Sequence, residues 1–146
     1  MSTRTATLQT AHTPADAARH LVPVGRLLFA TIFLLTLPGH FAPESIAYAA
    51  QKGVPLASLS VPASGILAFA GGLSVLLGYR AKLGAWLLVL FLLPVTLTLH
   101  DFWTVADPMA AQMERAMFMK NVSMLGAALL IAYFGAGPLS LDARRD

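Results

Sequence analysis

The sequence predicts an all-α integral membrane protein: a bundle of four transmembrane helices, both termini cytoplasmic, with a short interfacial helix in the first outer connection. Three observations predict it. Hydrophobic residues make up 57% of the chain and charged residues 12%, about half the charge that a soluble domain carries. The apolar residues are gathered into four runs, each near the roughly 17–20 helical residues that cross a hydrocarbon core of about 30 Å. Within 146 residues, nothing outside those runs is long enough to form a second, soluble domain. The expected organisation is one transmembrane domain over residues 21–142, preceded by a flexible cytoplasmic tail over residues 1–20.

The tail is rich in Thr and Ala, carries Arg4 and Arg19, and has no apolar core of its own. It therefore reads as neither a span nor a removed signal peptide. The four spans are expected at about Leu21–Pro38, Val61–Tyr79, Leu83–Leu99 and Met117–Ala136. Between the first two, Pro43-Glu44 suits a helix start and Gly53-Val54-Pro55 a helix stop, so a short amphipathic helix is expected to lie along the interface. After the third span, Asp107 precedes Pro108 as a cap precedes a first turn. A helix from Pro108 to Ala136 is about 43 Å long at 1.5 Å per residue, so its first turns must project from the bilayer or tilt.

Pro38 and Pro94 fall in the outer halves of their spans and are expected to kink or end them, opening a cavity toward the outer face. Small residues recur every fourth position at Ser64, Ala68 and Gly72, and again at Ser123 and Ala127, which predicts close helix approach on those faces. Orientation follows from the basic residues. Arg4, Arg19, Arg26, Arg80, Lys82, Arg144 and Arg145 fall on one side, and only Lys52, Arg115 and Lys120 on the other. The richer side is expected in the cytoplasm. Tyr79, Trp86 and Tyr133 then sit near the inner boundary, and Phe41, Tyr48, Phe102 and Trp103 near the outer one, as aromatic belts.

Cysteine is absent, which excludes disulfides, thiolate metal sites and cysteine nucleophiles within this chain. The net charge of +3 is scattered beside apolar runs, which argues against nucleic acid as a partner. No catalytic triad, phosphate loop or metal-ligand spacing is found. The polar residues at span ends are therefore the site candidates: Arg26, His40, His100, Asp101, Lys120 and Asn121 as the lining of a polar cavity. Lys120 is expected either to snorkel or to pair with Asp101 or Asp107, and Arg26 admits the same two readings. Met109, Met113, Met117, Lys120 and Met124 share one helical face, most simply for packing. A Cu(I) site built from Met113, Met117 and His100 is a minor alternative.

Six strings in order carry a family resemblance: Gly25-Arg26-Leu27-Leu28, Lys52-Gly53-Val54-Pro55, Gly71-Gly72-Leu73, His100-Asp101-Phe102-Trp103, Phe118-Met119-Lys120-Asn121 and Gly135-Ala136-Gly137-Pro138-Leu139-Ser140-Leu141-Asp142. The chain from about Val22 to Asp142 resembles the DoxX family of small four-helix membrane proteins. That resemblance implies a place in the cell (inner) membrane, a link to membrane quinone and a redox-enzyme partner subunit, with an oligomer possible. The alternatives are a small solute or lipid carrier and a structural membrane partner without catalytic activity. The chain departs from the family pattern at Ala68-Phe69-Ala70, where many relatives carry an acid, and at His40, where relatives often carry Lys.

Overall fold

The computed structural model describes residues 18–145, so the tail expected over residues 1–20 lies almost wholly outside the described residues. Helix α1 (Leu21–Leu35) runs into a 3-10 turn (Leu37–Phe41), and then come α2 (Pro43–Gln51), α3 (Ala57–Leu77) and α4 (Ala81–Leu99). A second 3-10 turn (Phe102–Thr104), α5 (Pro108–Phe134) and a third turn (Asp142–Arg144) complete the order, with no strand among the described residues. Four stretches, Leu21–Phe41, Ala57–Leu77, Ala81–Thr104 and Pro108–Phe134, are long and apolar enough to cross a membrane.

Local chemistry sets the boundaries. The first span loses regular α-helix at Thr36, ahead of Pro38, which cannot donate to the ladder. Helix α3 begins at Ala57, earlier than the expected Val61, because Leu56 turns the chain at φ 49° and the Ser60 hydroxyl donates to the carbonyls of Pro55 and Leu56. The expected break at Pro94 does not occur, and α4 continues to Leu99. A proline removes only its own donor, and in the absence of competing water the surrounding ladder holds. Asp107 caps α5 as its position suggests, its carboxylate accepting from the Ala110 amide at 2.7 Å. The helix runs 27 residues and stops at Phe134, short of the expected Ala136, where Gly135 takes φ 83°.

The bundle has two unlike ends. The hairpin end carries the Gly78–Arg80 turn and the segment after α5; the connection end carries the turn after α1, helix α2 and the α4–α5 link. Helix α1 packs on α3, α3 on α4, and α4 on α5, whereas α1 and α5 do not pack along their lengths. The buried core runs through Phe33, Ala68, Val75, Ala85, Leu88, Val89, Leu92 and Ala128. Backbones approach most closely where α3 crosses α4: a Cβ added at Gly71 would lie 2.9 Å from the Gly84 carbonyl oxygen. On the other flank of α3, a Cβ at Gly72 would lie 3.0 Å from the Phe33 Cβ of α1. The small face through Ala68 and Gly72 is thus packed as expected, but that of Ser123 and Ala127 is not: Ser123 is exposed, and α5 buries Asn121 and Ala128 instead. Spacing alone finds small residues on α5 without saying which face meets α4.

Candidate functional site

The site forms at the connection end, where α1 and α5 stand apart. Past Thr36 the 3-10 turn brings His40 against the bundle, its Nδ1 within 3.0 Å of the Thr36 carbonyl and its ring 5.8 Å from that of Phe91. Gly65 of α3 makes room for this ring, since a Cβ there would lie 2.5 Å from His40 Cβ. Between α1, α4 and α5 lies a cavity of about 140 Å³ lined by His40, His100, Lys120 and Asn121. Its remaining walls are mostly apolar, with Ile32, Phe33, Phe91, Leu92, Val95 and Met124. Asn121 is 5% exposed and its amide makes no side-chain hydrogen bond among the described residues. Two further spaces, of about 450 and 200 Å³, also reach His40, which therefore stands where all three meet.

A polar network holds the mouth of this cavity. His100 Nδ1 lies 2.7 Å from Glu114 Oε2, and the Tyr48 hydroxyl shares its one proton between Glu114 Oε1 and the Leu99 carbonyl, each at 3.3 Å. Beside it the Lys52 ammonium donates to Asp101, whose other oxygen accepts from the Thr104 hydroxyl at 2.7 Å. Together these bonds tie α2 to the α4–α5 link. The bond to Asp101 raises the Lys52 pKa above the ordinary lysine range. Tyr48 is raised too, by burial first and by the Glu114 charge second.

Four of the six residues singled out from sequence, His40, His100, Lys120 and Asn121, share the cavity wall; Arg26 and Asp101 do not line it. Arg26 sits at the hairpin end and is turned into the bundle instead of snorkelling. It is 5% exposed and donates to the carbonyls of Ala136 at 2.9 Å and Leu139 at 2.7 Å, pinning the segment after α5 to α1. The expected pairing of Lys120 with Asp101 or Asp107 is replaced, because Lys52 takes Asp101, Asp107 caps α5, and Lys120 Nζ rests 3.3 Å from Met117 Sδ. That ammonium beside the Met117 thioether opposes a cation bound there, and Met113 is exposed. Among the described residues no group of three or more His, Asp or Glu could hold a metal ion.

Glu114, Tyr48, Lys52 and Gly65 are the residues of this region that sequence reasoning missed as site residues. For Glu114 a signal exists: it precedes Asn121 by seven residues on α5, which places the two on one helical face.

Membrane-crossing helices around a half-polar cavity, with no enclosing strand among the described residues, define a multi-pass membrane protein of the helical-bundle class. The family model of the SURF4 family matches residues 57–146, more than half of the chain, and the chain belongs to that family. It is 30% identical over 100 residues to the inner membrane protein YphA of Escherichia coli (strain K12), covering 68% of this chain and 71% of that one. It is also 30% identical over 125 residues to the inner membrane protein YqjF of the same organism, covering 86% of each. No solved structure matches. These relatives and the four apolar helices make it a multi-pass inner membrane protein.

Proposed function

We propose that the protein is a DoxX-like accessory subunit of a membrane redox system that holds the head group of a membrane quinone without carrying out the chemistry itself. The observation that carries this reading is the convergence of His40, His100, Lys120 and Asn121 on one otherwise apolar cavity, at the end of a seam that α1 and α5 leave unpacked. A ring with polar oxygens and a long apolar tail fits such a place: the oxygens meet the cation, the amide and the imidazoles, and the tail leaves between the helices into lipid. With the hairpin end in the cytoplasm, the side that the basic residues favour, the cavity opens toward the outer leaflet. The DoxX-like strings at His100–Trp103 and Phe118–Asn121 contribute three of the five polar lining residues, with Thr36 and His40 the others.

The test is extraction of lipids and identification of partner proteins from the gently solubilised native complex. Co-purifying quinone, lost in a folded Lys120→Ala protein, is the expected result; a complex holding neither quinone nor a redox partner would overturn the reading. A second reading, a small solute or lipid carrier, is favoured by the space of about 450 Å³ between α2 and His40, which is wider than the cavity it adjoins. It predicts solute or lipid flux in proteoliposomes, and the quinone-holding subunit predicts none.

A further inference from the structure

We infer that the cavity selects the reduced, hydroxyl-bearing form of a quinone head group, with His100 as the hydrogen-bond acceptor and Glu114 as the residue that positions it; the inference rests on the quinone reading above. A carboxylate can only accept, so the ring nitrogen facing it, Nδ1 at 2.7 Å from Glu114 Oε2, carries the proton. In the neutral imidazole the other nitrogen, Nε2, must then be an acceptor, and no described residue bonds to it. Tyr48 donates to the second Glu114 oxygen and so holds the carboxylate in place. On the same cavity wall Lys120 only donates, while the Asn121 amide, unpartnered and 5% exposed, offers both a donor and an acceptor.

The wall therefore presents acceptors as well as donors. A quinone brings carbonyl oxygens alone and offers His100 Nε2 no donor, whereas a quinol brings O–H groups that can satisfy it. The choice depends on the charge of the ring, since protonating His100 turns Nε2 into a donor. The charged and titratable groups that bear on it are Glu114 and Lys120 of α5, His40 of the turn after α1 and Tyr48 of α2. Asp101 next door is engaged by Lys52.

The experiment measures binding of decylubiquinol and decylubiquinone to the full chain in nanodiscs at about pH 8, above the usual histidine range. The expected result is tighter quinol binding by about five- to tenfold, the worth of one satisfied polar group. Glu114→Leu removes the positioning carboxylate and is expected to abolish the preference. Equal binding of the two forms by the unaltered chain overturns the inference alone. Binding of neither overturns the quinone reading with it. If Glu114→Leu does not fold, the preference of the unaltered chain still decides.

Discussion

His40 and Gly65 are packed so closely that the glycine has no room for a side chain: a Cβ on Gly65 would lie 2.5 Å from the Cβ and 2.6 Å from the Cγ of His40. Both of those atoms are near the histidine backbone, so the ring cannot swing aside cheaply. Gly65→Ala should therefore destabilise the protein by about 1 kcal/mol, an overpacking penalty of about 1–3 kcal/mol partly offset by the helix preference of Ala over Gly, about 1 kcal/mol. Gly126→Ala is the control, because nothing lies within 4 Å of its added Cβ. Thermal unfolding in one detergent should lower the midpoint for the first and keep or raise it for the second.

Arg26→Ala should cost about 3 kcal/mol or more, since a buried charged donor bonded to two carbonyls is lost and the carbonyls are left unpaired. Arg26→Lys should not restore stability, because a single ammonium lacks the fork that reaches both oxygens. Limited proteolysis should then cut within residues 135–145 faster than in the unaltered protein. Equal protection in both variants would contradict the pin assigned to Arg26.

Asp142 reaches across the hairpin end and accepts from the backbone amides of Arg80 at 2.7 Å and Ala81 at 3.0 Å, capping α4 from a distant part of the chain. Asp142→Ala should cost about 1 kcal/mol, the usual worth of a helix cap. Because the same residue anchors the segment that Arg26 holds, the double variant should lose less than the sum of the two single losses. Additive losses in a double-mutant cycle would separate the two anchors.

Alkaline stability carries two signatures. The Lys52 pKa is raised in the folded protein by its bond to Asp101, so that contribution is complete below the unfolded lysine value of about 10.4 and fades as pH rises through the higher folded value. Lys52→Met should remove that contribution near neutrality and flatten stability against pH above about 10. Tyr48 is raised as well, by burial, so its contribution also fades only above the ordinary tyrosine value of about 10. In an ultraviolet titration Tyr48→Phe should remove a late-ionising tyrosine.

Legibility in the sequence followed locality. Asp107-Pro108 announces the start of α5 because a cap and its helix are neighbours in the chain, and the hairpin at Gly78–Arg80 is a local turn in the same sense. Arg26 is the opposite case. Its partners lie 110 and 113 residues away, so nothing near it in sequence distinguishes a pinning arginine from a snorkelling one. The cavity was half legible. A cation and an amide where a span enters the membrane point inward on general grounds, but the partner of His100 depended on how the α4–α5 link turns. Adjacent Asp101 was the visible choice; Glu114, a turn and a half into α5, is the one the backbone brings round.

The pin at Arg26 makes α1 a beam held at both ends. One end is fastened to the segment following α5, the other by the turn that seats His40 on Gly65 of α3, and the flank toward α5 stands free. That free flank borders the cavity. Thinning of the surrounding lipid should therefore load the unsupported side of α1, and with it the width of the cavity, before it loosens either clamp.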